Sequence, residues 1–265
     1  MSVAAPAHPA VADLVRVGAG FRERAAGDDV WPPEDLGRCG TAGVDLDEQL
    51  CRAVADRHER APRLALDHGL AARYERTKHE LRSLFADVVA AGFVVRPWLG
   101  RGQPYRSSDE LTTSVRATRT IHVLPTRTAH GPAGSSGYHP LREPSDVEAA
   151  GVPLAWNDLL RAVHDLFGHV MLGCSFGPVG ELRAAYCQMA LHSPEVRTVL
   201  FTEQVAQTCW FYFGPHVRAD DGSVPGPGDG AYVPPSARPY PEQKVYAADP
   251  GDVAAFRRMF AFEAA

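Results

Sequence analysis

The stretch "RAVHDLFGHVML", residues 161–172, carries the residue types best suited to chemistry: His164 and His169 stand five apart, with Asp165 directly after the first. Histidine is the commonest metal ligand, so the pair raises the question of a metal. On a regular α-helix, residues five apart point about 140° away from one another. Zinc proteases avoid this by spacing their histidines four apart. The five-residue spacing works if the helix ends at Gly168, because glycine adopts left-handed geometry at a helix end and swings the next residue off the axis. The sequence therefore predicts a helix over 158–167, opened by Asn157 as N-cap, with the two imidazoles converging around its end.

Two imidazoles need a third ligand. Glu203, in "LFTEQVAQTCWFYFG", lies mid-helix among Val199, Leu200, Phe201, Val205, Cys209, Trp210 and Phe213. A carboxylate in such company is costly unless it is paired or holds a cation. Gln207 follows one turn later on the same face, where it would contact substrate or bound water. Glu181 opens its own helix, where the helix dipole already accounts for an acid. Glu203 is thus the expected third ligand and Glu181 the second choice, assigned with Asp165 to catalytic support; Asp165 would orient His169. Two histidines and one carboxylate with open positions suit Fe(II) and O2 chemistry. A lone buried histidine is more often a satisfied core residue, and with 11 histidines in the chain two can share a helix without function.

"HDLFGHVML" resembles the iron motif of the pterin-dependent aromatic amino acid hydroxylases, H-E-L-L-G-H-V-P-L, in which both histidines bind iron. His164 and His169 match it residue by residue, and Asp165 replaces the motif's glutamate. "CWFYFGP" resembles the family's later W-F-x-x-E-F-G segment, but Gly214 falls where that glutamate would align, and Glu203 is three helical turns earlier. The resemblance implies Fe(II); a pterin co-substrate has no recognisable binding region here. A second resemblance is to uncharacterised phage and bacterial proteins sometimes labelled crystallin-like. It rests on "PYRSSDELTTSVR", "HVLPT", "HPL", "NDLLRAVHDLFGH", "VGE", "TEQVAQTCWFYFGP" and "EQKVY". It implies a shared fold in which Glu181, Glu203, Gln207, Gln243 and Lys244 occupy matched positions, and lends no activity.

The elements that must position these residues are mostly helical. Residues 1–44, rich in Ala, Gly and Pro, read as a partly flexible arm with one short helix near 10–24, and 45–265 as a single metal-binding catalytic domain. Helical periodicity from Asp45 to Ala91 gives two helices, the second with a stripe of Leu81, Leu84, Phe85, Val88 and Val89. "FVVRP" and "TIHVLPT" read as two strands of a small sheet. Three consecutive helices then carry the site: 158–167, 179–192, and a third opened by Ser193-Pro194-Glu195 and ended at Gly214-Pro215. The fold class is mainly α, of α+β type, with that helical core, a two-strand sheet and long loops. Residues 216–240 form a loop or lid, and 251–262 a last helix. His192 and His216 read as exposed caps. The loop "TRTIHVLPTRTAHGPAGSSGYHP", with Arg127, His122, His130, Tyr138 and His139, lacks the Gly-Lys-Ser/Thr of a phosphate loop. Tyr138 and Lys244 join Gln207 as candidate substrate contacts.

The chain has 265 residues, 45% hydrophobic and 22% charged, with a net charge of −5. That is globular composition with no basic field for nucleic acid and no apolar run long enough to cross a membrane. Five widely spaced cysteines without a CxxC pair fit free thiols in a reducing compartment. The expectation is a cytoplasmic oxygenase or hydroxylase acting with Fe(II) and O2 on a small polar metabolite such as an amino acid, with a homodimer left open. The rival readings are an HD-like metal-dependent phosphohydrolase using Asp165 with His79 or His122, a dinuclear iron oxidase, and a binding module whose metal is structural or absent.

Overall fold

Residues 8–33, 35–126 and 137–262 are described by the computed structural model. Its architecture is mainly α with small two-stranded pairings, the α+β class expected. Helix α3, His68–Ala90, sits centrally and buries Leu70, Tyr74, Leu81, Leu84, Phe85 and Val88 along one face. Val89, expected in that stripe, is half exposed. Helix α1, Pro9–Ala25, packs on α3. The helix near 10–24 is there, but it is no loose arm: Ala10, Leu14, Gly18 and Phe21, spaced three and four apart, form a buried face.

Helix α2, Glu48–Arg60, lies against the later helices, and α4, Ser108–Thr118, is capped by the Ser107 hydroxyl. Strands β2, Val94–Pro97, and β3, Thr120–Val123, pair in parallel, as the two β-branched runs suggest. Two pairings were not legible: β1, Gly43–Val44, with β6, Phe260–Ala261, and the hairpin of β4, Pro144–Ala149, with β5, Val152–Ala155. Both are short and half exposed, so they leave little apolar alternation to read.

Helix α5 begins at Trp156, not after an Asn157 cap; the Asp158 carboxylate accepts the Ala155 N–H at 2.9 Å, and Asn157 turns inward. It does not stop at Gly168. The α geometry of Trp156–His164 passes into a π-helical segment, Asp165–Met171. Helix α6 spans Pro178–Leu191. Helix α7 runs from Pro194 to Phe213 as expected, but its middle, Phe201–Ala206, is also π-helical. Helix α8, Pro250–Arg258, ends earlier than the expected 262, where β6 takes over. No helix of the described residues is long and apolar enough to cross a membrane.

Two groups expected at the surface or at the substrate are structural. His192 is fully buried and bonds Glu80 on α3 at 2.9 Å through Nδ1. Lys244, expected at the substrate, is buried against the end of α2, its ammonium donating to the carbonyls of His58, Glu59 and Ala61 at 2.9, 2.8 and 3.0 Å. It thus satisfies the acceptors that a helix C-terminus leaves open, with the charge the dipole favours. Lys244→Met is expected to lower the unfolding free energy by about 2 kcal/mol in denaturant titration, with metal binding unchanged.

Candidate metal centre

The π-helical segment answers the spacing problem. Its i→i+5 hydrogen bonding widens the coil, so residues five apart come nearly into line. The His164 and His169 rings meet edge to face with centroids 5.2 Å apart. A wide turn frees backbone carbonyls, and neighbours take them up. Thr112 on α4 donates to the His169 carbonyl at 3.1 Å, Arg116 to Val170 at 3.0 Å, and the Cys174 N–H to Gly168 at 3.2 Å.

Gly168 has a different role from the one expected. Its φ is not positive. A Cβ there would lie 2.3 Å from the Ala184 Cβ and 3.1 Å from its Cα, so glycine lets α5 and α6 approach closely. That approach brings Glu181, in the first turn of α6, to the histidines. Glu181 Oε2 lies 3.2 Å from His164 Nε2, and Oε1 lies 3.7 Å from His169 Nε2. One carboxylate therefore spans two imidazoles.

The donors present fit a metal. His169 Nδ1 is 2.8 Å from the Cys174 carbonyl, which can only accept, so Nδ1 carries the proton and the lone pair sits on Nε2, facing Glu181. Asp165 adds a nearby group: ligand atoms of His164, Asp165 and His169 lie within 4.8 Å of one another. Burial alone would lower the His164 imidazole and raise the Glu181 carboxyl. Their mutual bond and the opposite charges around each together outweigh it, leaving the imidazole above and the carboxyl below its ordinary value. Burial raises the Asp165 carboxyl despite the two histidines beside it. Without a cation the site is thus a proton-bridged His164–Glu181 pair, which metal binding would displace.

Glu203 stands elsewhere, and its expected place against the histidine pair is corrected. Its Oε1 accepts from the Tyr74 hydroxyl at 2.6 Å and lies 3.1 Å from His139 Nε2, while Oε2 accepts from Gln207 at 3.2 Å. The Leu141 N–H donates to His139 Nδ1 at 3.2 Å, so Nε2 carries that ring's proton. This is the opposite tautomer from His169. Two hydrogen-bond donors, with the His139 ring beside them, therefore surround the buried carboxylate without a cation. The signal for burial was correct, but Tyr74 and His139 come from segments far away in sequence.

Both centres border one cavity of about 270 Å³, walled by α5, α6, α7 and the segment around Tyr240 to Gln243. Gln207 and Gln243 line it, as does Asn157, whose carbonyl accepts from Gln243 at 3.3 Å. A second cleft of about 660 Å³ reaches Glu181 from the Asp165 side, with His122, Tyr105, Arg161 and Phe176 on its walls. The 216–240 loop lies over this region. Arg238 is set against the rings of Phe211, Tyr212 and Tyr232, and Pro235 and Ser236 border the larger cleft. Tyr138 is not brought to the site: it is 54% exposed and bonds Glu143 at 2.8 Å. His79 is exposed on α3. Arg127 and His130 lie outside the described residues.

No carboxylate comes from the position that the hydroxylase motif aligns with Gly214. A Cβ there would fall 2.3 Å from the Trp210 carbonyl, so a side chain would require the backbone to shift. No family model, curated protein or solved structure matches the chain.

Proposed function

We propose that the protein is a mononuclear non-haem iron enzyme that uses O2 to oxidise a small polar metabolite, an amino acid or derivative being the first class to test. His164, His169 and Glu181 would hold the Fe(II). The observation that carries this reading is the convergence of two imidazoles and one carboxylate at the wall of a cavity, with His169 already in the ligand tautomer. A ferrous ion held by two histidines and one carboxylate supplies dioxygen activation at its open positions.

The chain's own groups would do the rest. The Cys174 carbonyl fixes the His169 ring, and the amides of Asn157, Gln207 and Gln243 offer polar contacts to a substrate. The Arg238-anchored loop borders the larger cleft and would keep water from the reacting centre. The anaerobically iron-loaded protein is expected to take up O2 when its substrate is supplied from a panel of small polar metabolites. His169→Ala should lose that uptake; a panel with no substrate-dependent uptake counts against the reading.

One observation favours a second reading. Asp165 is close enough to both histidines to join a metal site, and His122 borders the same cleft. That arrangement suits a metal-dependent hydrolase, in which turnover of phosphate esters would proceed under nitrogen.

A further inference from the structure

Helix α7 turns a row of acceptors toward the smaller cavity. Glu203 and Gln204 lie in its π-helical segment and Gln207 directly after it, and all three line the cavity. The Gln207 amide donates to Glu203 Oε2 at 3.2 Å. A carboxylate only accepts, so the end of Gln207 that meets it is the nitrogen. The Gln207 carbonyl oxygen is left without a partner among the described residues. The Gln204 amide donates to the Gln188 carbonyl, and Gln204 Oε1 finds no partner although the residue is only 9% exposed. Buried polar groups are nearly always bonded, so this oxygen calls for a donor.

The amides and charges elsewhere on the cavity are committed. Asn157 and Gln243 are bonded to each other, to Thr126 and to Arg142. Arg161 donates to the Leu124 carbonyl at 3.0 Å, and His164 and Glu181 belong to the metal centre. At α7 there remain two carbonyl oxygens and, beside them, the charge of Glu203. A primary ammonium carries three N–H donors, one positive charge and no acceptor, which complements that set. A carboxylate or phosphate would meet only acceptors and a like charge, and a hydroxyl has one donor for two oxygens. Leu160, Phe211 and Tyr240 wall the cavity for a short apolar body. Its volume of about 270 Å³ lies just below the range of about 300 to 1,000 Å³ in which most ligand pockets fall.

We propose that this cavity takes a small primary amine as the substrate of the metal centre, its ammonium donating to Gln204 Oε1 and Gln207 Oε1 and facing the Glu203 charge. The role as substrate rests on the metal-centre reading above; the ammonium site rests on α7 and its cavity.

Calorimetric titration of the full chain with n-butylammonium, n-butanol, n-butyrate and butyltrimethylammonium tests it. The last three share the tail but lack the charge, reverse it or lack N–H donors. n-Butylammonium should bind, and each of the others should bind more weakly by about 10-fold or more. Gln204→Met keeps the length and removes the acceptor; it should weaken n-butylammonium by about 10- to 100-fold, the loss of one hydrogen bond to a charged group. Its thermal melt and its iron content after anaerobic reconstitution should stay near wild type, which separates lost recognition from lost folding. n-Butylammonium bound no tighter than n-butanol or butyltrimethylammonium, or bound equally by wild type and Gln204→Met, would overturn the ammonium site and leave the metal centre standing. Wild-type protein that binds n-butylammonium but takes up no iron would overturn the amine's role as substrate and leave the ammonium site.

Discussion

Glu181→Ala is expected to abolish metal binding, whereas Glu203→Gln should leave it at full stoichiometry. The two glutamates border the same cavity, yet their surroundings differ in kind. Glu181 faces two ring nitrogens, one of which carries a lone pair because its partner nitrogen donates to a carbonyl. Glu203 accepts from a phenol and an amide, with the His139 ring nitrogen 3.1 Å away. Removing Glu181 takes away the charged ligand and leaves two neutral imidazoles, a poor site for a hard ferrous ion. Replacing Glu203 by glutamine keeps the volume and an acceptor oxygen but disturbs the hydrogen bonds from Tyr74 and Gln207, so its cost should appear in stability, at about 1 to 3 kcal/mol. Anaerobic iron reconstitution followed by metal analysis and denaturant titration reads both effects. Metal retained in Glu181→Ala and lost in Glu203→Gln would reverse the assignment.

Gly168→Ala is expected to lower stability by about 3 kcal/mol and weaken metal binding with it. The added methyl would stand 2.3 Å from the Ala184 Cβ, far inside contact distance, and the partner is the start of a side chain on a helix. No rotamer change relieves such a clash, so α5 and α6 must separate, at a cost in the upper range for overpacking a core. Separation also draws Glu181 away from the histidines. Adding Ala184→Gly removes the opposing methyl, and the double variant should recover most of both losses, a coupling a two-residue cycle measures directly. If Gly168 were present for a left-handed helix end, Ala184→Gly would give no recovery.

The sequence made much of this site legible, and the failures have physical causes. Residue type and spacing singled out His164 and His169, and the limits of α7 followed from Pro194 and Gly214-Pro215. The π-helical turns were not readable. The one at the histidines depends on Thr112, Arg116 and Cys174 taking up carbonyls and on Ala184 lying against Gly168, contacts made by other parts of the chain. That Glu181 rather than Glu203 lies against the histidines was missed for a related reason. A buried carboxylate needs a partner, but sequence alone does not say whether that partner is a cation or a set of donors. In Glu203 the donors arrive from α3 and from the segment before β4; in Glu181 the dipole explanation was sufficient by itself and concealed the histidines opposite. Helix α1 was underrated because its buried face is half Ala and Gly, which register weakly as apolar though they pack closely.

The most direct measurement of the central claim is the iron content of wild-type protein after anaerobic reconstitution and removal of unbound metal. A single centre built from His164, His169 and Glu181 requires one iron per chain. Two irons per chain would bring Asp165 or Glu203 in as ligands of a second ion, and none would mean that the converging histidines and Glu181 are only a half-buried ion-pair cluster.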